Sequence, residues 1–341
     1  MKLSIVIPFY NADALIGRML ESLMDQGLEA SDYEIIIVDD ESPQEVVAAK
    51  EYAARFPQIS YHRIPHGGQG LARNYGLSAA KGEWIYFCDA DDFLQPQALG
   101  GMIRVAEERG LQMILADMVV LYPNDPVPPH PKRNFDKVSA TMTGMEYLGD
   151  PTNVFSWSPC VYLVKHAFLV DNGLKFESIA YVEDRFFRLA LLEKIERCAT
   201  VEVDLYYYIQ NDISVLHSSK RANGPKYIEC FFVYIDRLNS YIDKPTIPPK
   251  AVERLKRYRQ RAAYVLLLNA FLYCPVDVTK SSISRLKALG LYPVGYDRHK
   301  GSRRTRFLRR IMDRPRLWTA FYRLVHLFPD SFIQKHFKIN R

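Results

Sequence analysis

The chain has no Cys-x-x-Cys pair among its 341 residues. Its five cysteines (Cys88, Cys160, Cys198, Cys230 and Cys274) are dispersed. An odd, scattered set fits reduced thiols in a cytoplasmic protein and argues against a disulfide framework or a zinc site. No Gly-Lys-Ser/Thr occurs, which excludes a P-loop nucleotidase. No apolar run approaches the roughly 18 to 20 residues that span a bilayer. The longest, Ala262 to Tyr273, contains Asn269 and stops too early. The N-terminal stretch has one lysine, then Leu3 to Tyr10, then Asn11 and Asp13, too short and too polar-flanked for a signal peptide. With 48% hydrophobic and 25% charged residues, the composition is that of a globular chain, long enough for two domains.

What is present is organised around Trp84 to Leu94, in which an apolar run, Trp84 to Cys88, ends in Asp89, Asp91 and Asp92. Such a run fits a buried strand of a parallel sheet, and its end delivers the acids to the edge where open α/β sheets bind ligands. Asp89 and Asp91 are two apart and share one side of an extended chain. Clustered carboxylates repel, and a hard divalent cation, Mg²⁺ or Mn²⁺, relieves the repulsion. The alternative is a solvated turn before a helix, with Asp92 as its cap.

In chain order, Leu3 to Ile7 reads as a strand stopped by Pro8, and Asn11 as the cap of a helix carrying Leu15, Ile16, Met19, Leu20 and Leu23. Tyr33 to Val38 is a second strand, ending in Asp39-Asp40, and Ser42-Pro43 opens a second helix. A third strand, Ile59 to Arg63, precedes Gly67-Gly68-Gln69-Gly70 and a helix to Ala80. After the Trp84 strand come a helix over Gln95 to Arg109 and a strand over Met113 to Leu121. This alternation predicts a doubly wound, mostly parallel sheet with right-handed crossovers. Two strands then end in acids on one edge.

Tyr122 to Arg133, rich in proline, reads as an extended loop; a helix begins near Thr143 and a strand runs from Trp157 to Val164. Glu183-Asp184 opens an amphipathic helix, where acids also suit the helix dipole alone. Ala199 to Ile209 holds Tyr206-Tyr207-Tyr208, a strand or the wall of a pocket. From Gly224 onward the pattern is helical. Residues 298–341 carry 13 Lys or Arg and 2 Asp or Glu, hence 13 − 2 = +11 against +6 for the whole chain. Phe307, Leu308, Ile311 and Met312 share a helical face there, apart from most of Arg303, Arg306, Arg310 and Arg314. A basic amphipathic helix with aromatics suits an anionic membrane surface better than nucleic acid; the alternative is a helix packed on the protein.

Four stretches in this order resemble family 2 glycosyltransferases: Ser4 to Asn11, Ile37 to Ser42, Gly67 to Asn74, and Lys81 to Asp92. The resemblance is dense over residues 1–120 and continues more thinly through Glu183-Asp184 and Tyr206 to Ser214. It implies a GT-A fold (α/β, Rossmann-like) with a helical, basic C-terminal extension. The catalytic domain would be 1–220, with a nucleotide-sugar half 1–120 and an acceptor half 121–220, and 221–341 would be helical. It implies an inverting enzyme moving a hexosyl or N-acetylhexosaminyl group from a nucleotide sugar, a UDP-sugar by preference, to a glycan or lipid-linked acceptor in surface polysaccharide synthesis. Pro8, Phe9 and Tyr10 would line the base pocket, and Asp39 would accept a hydrogen bond from the base. Arg73 would reach the nucleotide. Asp89-Ala90-Asp91 would be the DxD motif, with Asp91 and Asp89 holding Mn²⁺ or Mg²⁺ on the diphosphate. Asp184, with Glu183 beside it, would be the general base. Gln210 stands where relatives often carry a basic residue, His66 where asparagine is common, and Glu41 where glycine is common. The enzyme would work at the cytoplasmic face of the membrane, held by 298–341, without nucleic acid.

A dehydrogenase is discounted at this level, and one rival enzyme and a non-enzyme remain. Gly68-Gln69-Gly70 begins like a dinucleotide fingerprint but lacks the third glycine and follows the third strand. A sugar nucleotidyltransferase would carry its glycine-rich loop where Pro8-Phe9-Tyr10-Asn11 stands. A catalytically silent membrane scaffold would not need Asp39, Asp91 and Asp184 together.

Overall fold

The computed structural model describes residues 1–122, 125–128, 130–210 and 223–294. The basic segment 298–341 lies outside the described residues. The chain divides into two compact units, Met1–Asp212 and Ile213–Arg341.

The first unit holds nine strands in one sheet. In chain order they are β1 (Leu3–Phe9), β2 (Tyr33–Asp39), β3 (Ile59–Arg63), β4 (Trp84–Phe87), β5 (Phe93–Leu94), β6 (Met113–Leu121), β7 (Arg133–Val138), β8 (Tyr162–Lys165) and β9 (Cys198–Ile209). Spatially the order is β3-β2-β1-β4-β8-β6-β9-β5, with β7 also on β9. The first four strands pair in parallel. Beyond β4 the sheet turns mixed: β8 lies antiparallel between β4 and β6, and β9 runs parallel to β6. Helices α1 (Ile16–Met24), α2 (Ala48–Arg55), α3 (Gln69–Ala79) and α4 (Ala98–Glu108) connect the early strands. Shorter α5 (Gly144–Gly149) and α6 (His166–Asp171) precede α7 (Glu183–Lys194).

Strand alternation sorts the core. Leu3, Ile5, Ile7, Ile35, Ile37, Trp84 and Tyr86 point to the face covered by α1 and α4, while Ile36 and Val38 meet Ala72 of α3 on the other. Close approach of α3 to β1 requires Gly76, where a Cβ would overlap Val6 Cγ1. Gly76→Ala is therefore expected to destabilise the chain by about 1–3 kcal/mol through overpacking, read as a lowered thermal midpoint; an unchanged midpoint would mean that α3 can lift off β1 at no expense.

Several element boundaries differ from the sequence reading for local reasons. Pro8 does not stop β1. The Val6 carbonyl accepts from Cys88 on the β4 side, and the Phe9 carbonyl accepts from Asp40 on the β2 side. By alternation the Pro8 nitrogen faces β4, which has already ended at Phe87, so no ladder bond is lost there. Asn11 does not cap α1; it takes a left-handed conformation (φ 51°), and the helix starts five residues later. Ser42-Pro43 stays in a loop, and α2 begins at Ala48. Its first amides are capped from a distance: the Asp13 carboxylate accepts from the backbone N–H of Val47, Ala48 and Ala49. Thr143, near which the sequence reading starts a helix, forms a capping box with Glu146.

The second unit shows three helices among the described residues: α8 (Gly224–Ile242), α9 (Pro249–Tyr273) and α10 (Val276–Ala288). No helix among the described residues is long and apolar enough to cross a membrane.

Candidate functional site

The carboxyl ends of β1, β2 and β4 share one edge of the sheet, and the acids at these ends are held in different ways. Asp39 closes β2 and is fully buried. One of its oxygens accepts from the Ser42 amide (2.9 Å) and hydroxyl (2.6 Å). The other accepts from the Tyr61 hydroxyl (2.6 Å) and from Arg63 Nη1 (3.2 Å). Asp40, which the sequence reading left without a role, accepts from the Gly67 and Gly68 amides at 2.7 and 2.9 Å and lies 2.9 Å from His66 Nδ1. It thereby shapes the glycine turn, where Gly68 adopts φ 91°. Phe9 is buried, whereas Tyr10 is exposed with its ring tilted against His66. An open cavity of about 170 Å³ lies beside them, lined by Phe9, Asn11, Asp13, Ala14, Ser42 and Val46 among others.

The segment after β4 is fixed at both ends. Asp92 is fully buried, and its carboxylate accepts from the Tyr206 hydroxyl (2.6 Å) and the Ile209 amide (2.7 Å). Burial, then the nearby Asp91 charge, pushes its carboxyl up to about 8. Asp92 is thus a pin between the acidic loop and β9, not a helix cap. Tyr206 also accepts from the Asp89 amide. Phe93 stacks on Tyr207 at 4.7 Å with the Arg18 guanidinium on it at 5.3 Å, and Arg18 donates to the Asp91 carbonyl at 2.6 Å. Of the Tyr206-Tyr207-Tyr208 run, the first member therefore supports the loop. Ala90 is buried, which leaves Asp89 and Asp91 as the partly exposed acids.

Asp91 differs from its neighbours. Burial first, and the Asp89 charge second, raise its carboxyl, while Arg18 and its own backbone N–H oppose the rise. Among the described residues no side chain donates to it. Asp89 accepts on Oδ1 from Gln69 Nε2 (2.8 Å) and Arg73 Nη2 (2.8 Å). No three His, Cys, Asp or Glu side chains converge into a ready cage among the described residues. A pair of carboxylates with an under-neutralised member is the donor set that Mg²⁺ or Mn²⁺ takes when substrate phosphates complete its coordination. Asp89 and Asp91 fit a cation of that kind.

Arg73 joins this loop to the start of α7. It is 2% exposed and bridges Asp89 (2.8 Å) and Glu183 (3.4 Å) over the Phe176 ring. Burial alone would lower the affinity of its guanidinium for the proton; the Asp89 and Glu183 charges outweigh that and raise it. Its Nε is buried without a hydrogen-bond partner among the described residues. Glu183 is pushed up to about 7 by burial and by Asp184 beside it, with Arg73 pulling the other way. Asp184 is partly exposed and accepts on Oδ1 from the Arg185 amide. The start of α3 lies close to this pair: a Cβ on Gly70 would lie 3.2 Å from Glu183 Cγ. Val182 takes a left-handed conformation (φ 67°) just before the two acids, uncommon for a β-branched residue and a mark of a backbone held by its surroundings.

The structure thus brings Arg73, Asp89, Asp91, Glu183 and Asp184 together, and sets Pro8, Phe9, Tyr10 and Asp39 at the neighbouring strand ends. Arg73 meets the two acidic motifs and is nearly inaccessible, so it offers little surface to a nucleotide. Asp40 and Arg18 are supporting residues that the sequence reading left unassigned, and Tyr206, read as part of a strand or a pocket wall, is a third. Asp40 had a signal, the paired acid at the end of β2; the other two are distant in sequence from what they hold.

Residues 4–167 match the family model described as Glycosyl transferase family 2. The chain is 30% identical over 217 residues to the poly(ribitol-phosphate) beta-glucosyltransferase of Bacillus spizizenii, covering 62% of this chain and 33% of that protein. It is 31% identical over 216 residues to the uncharacterized glycosyltransferase EpsJ of Bacillus subtilis, covering 62% of each. The chain therefore spans only about a third to three fifths of the length of these relatives. Among solved structures, S. aureus TarS 1-349 in complex with UDP-GlcNAc superposes with a TM-score of 0.61 at 19% identity, over 92% of this chain and 90% of that one. The mannosyltransferase PcManGT of Pyrobaculum calidifontis, in complex with GDP-Man and Mn²⁺, superposes with a TM-score of 0.53 at 16% identity, over 96% and 87%. These likenesses establish the fold.

Proposed function

We propose that this chain, whose residues 4–167 match the Glycosyl transferase family 2 model and which has the GT-A fold, is an inverting transferase that moves a sugar from a UDP-sugar to a hydroxyl of a surface polysaccharide or glycolipid. The observation that carries the reading is the meeting of two acidic motifs, Asp89/Asp91 and Glu183/Asp184, across the single buried Arg73. Transfer needs a donor diphosphate held at one point and a base for the acceptor at another. Relatives named for glucosyl transfer and a neighbour bound to UDP-GlcNAc favour a glucosyl or N-acetylglucosaminyl donor.

The base would lie against Phe9 and Tyr10 beside the open cavity. Its N–H would replace Arg63 on Asp39, because the Arg63 bond is the longest of the four and that side chain is 48% exposed. Asp91 and Asp89 would hold Mn²⁺ or Mg²⁺, which, when bound, neutralises charge developing on the diphosphate. Asp184 accepts the proton of the attacking hydroxyl as its oxygen bonds to the anomeric carbon and the bond to the diphosphate breaks. One displacement inverts the centre, and no protein nucleophile is needed. Glu183, tied to Arg73, orients the pair. A position at an anionic membrane surface through 298–341 completes the proposal.

Nucleotide release from UDP-, GDP-, dTDP- and CMP-sugars, with Mn²⁺ and with chelator, tests it. Release from one UDP-sugar that stops in chelator, and is lost in Asp91→Ala, is expected. Undiminished release by the wild type in chelator would sink the metal assignment. Silence across the panel together with no calorimetric binding of UDP would sink the transferase reading.

A further inference from the structure

The N-terminal half of α9 is strongly basic. Between Lys250 and Arg261 there are six basic residues and one acid, Glu253, hence 6 − 1 = +5 in twelve positions. Lys250, Arg254, Arg257 and Arg261 stand at i, i+4, i+7 and i+11, which places them on one face of the helix over about 16 Å. Lys250, Arg257 and Arg261 are exposed, and Arg254 is half-buried. None of the three exposed members has an ion-pair or hydrogen-bond partner among the described residues.

Two features show that this stripe does not serve the helix. Like charges at i, i+3 and i, i+4 repel and weaken a helix. The first turn contains Lys250 and no acid, the reverse of what the positive end of the helix dipole favours. Local sequence that opposes its own secondary structure is expected where function requires it. Large exposed apolar side chains in residues 223–294 are limited to Val233 and Leu289, and neither is on α9. An interfacial membrane helix needs an apolar face to bury among the acyl chains, and the solvent-facing side of α9 offers charge alone.

We infer that the Lys250–Arg254–Arg257–Arg261 stripe binds a flexible polyanion with repeated phosphodiesters, and that this polymer is the acceptor chain. Arginine forks and lysine ammonium groups spaced along one line suit successive phosphates. The acceptor assignment rests on the transferase reading above; the polyanion surface itself does not. A phosphate-bearing polymer also agrees with the relative named for poly(ribitol-phosphate).

The test uses the full chain and three probes: poly(ribitol phosphate), neutral dextran, and phosphatidylglycerol vesicles. The wild type is expected to bind poly(ribitol phosphate) and not dextran, with affinity falling as salt rises, because bound phosphates release their counterions. The triple variant Lys250→Gln/Arg257→Gln/Arg261→Gln is expected to bind the polymer at least ~10-fold more weakly, with a shallower salt dependence. Its thermal midpoint and UDP affinity should hold, and Arg257→Lys should keep most of the binding. Polymer affinity unchanged in the triple variant would overturn the inference. So would loss of vesicle binding alone, which would assign the stripe to the membrane. A chain that binds polymer through the stripe yet releases nucleotide from no donor and binds no UDP would support the surface while removing the transferase reading.

Discussion

Asp184→Asn is expected to lower kcat by ~10²-fold or more while leaving UDP affinity unchanged, because a positioned general base contributes on that scale. The asparagine keeps the size of the side chain and can still accept from the Arg185 amide, so the helix start should survive. What disappears is the open carboxylate oxygen. Glu183→Gln separates the two acids: Glu183 already gives one oxygen to Arg73, so its variant should retain more activity than Asp184→Asn. The opposite ranking in a transfer assay would make Glu183 the base. The same glutamine has a second signature. The Glu183 carboxyl titrates at about 7 in the folded chain, against 4.5 ordinarily. The folded state therefore keeps a proton that the unfolded chain has released. The stabilisation from that proton is full below about 4.5 and is lost as pH rises through about 7. Each pH unit inside this window changes the contribution by about 1.4 kcal/mol, so the span amounts to a few kcal/mol at most. Urea midpoints of the wild type should fall from pH 5 to pH 8 more steeply than those of Glu183→Gln.

Arg73→Gln should be the most damaging substitution for the fold of the first unit. Removing one partner of a buried ion pair leaves an uncompensated charge and costs on the order of 3–5 kcal/mol. Here one side chain serves two carboxylates, Asp89 and Glu183, so the glutamine leaves both without their cation. Glu183 should then take up its proton at still higher pH. Arg73→Lys restores a charge but lacks the planar fork, and a single ammonium cannot reproduce both contacts with the same geometry. The expected order of urea midpoints is wild type, lysine, glutamine, with transfer activity following it. Equal midpoints for all three would show that solvent replaces the guanidinium, against its 2% exposure.

Strands β1, β2 and β4 were legible because each is a largely apolar run that ends in a turn signal or in acids, and Met113 to Leu121 matches β6 residue for residue. Helix starts were less legible. Asn11 and Ser42 are good capping residues by type, yet one adopts a left-handed turn and the other serves Asp39. The cap of α2 comes from Asp13, more than thirty residues away, which no local pattern encodes. Strand β7 was missed: it follows the proline-rich loop, and Arg133–Val138 has no buried residue to give it a periodic signal. The acidic positions were legible as a set, since three motifs end in carboxylates. Their differentiation was not. Asp89, Asp91 and Asp92 look equivalent in sequence, but Arg73 donates to the first, a tyrosine and an amide hold the third, and no side chain among the described residues donates to the second.

The family model ends at residue 167, before β9 begins at Cys198. Yet β9 provides the tyrosine and the amide that fasten Asp92, pairs with β5, and continues the sheet beyond β6. The acidic loop that lies within the matched residues is therefore completed by a strand lying outside them. Any attempt to transplant this α/β unit into another protein has to carry residues through Ile209, because a graft cut at residue 167 would expose a raw sheet edge and release the acidic loop from its far anchor.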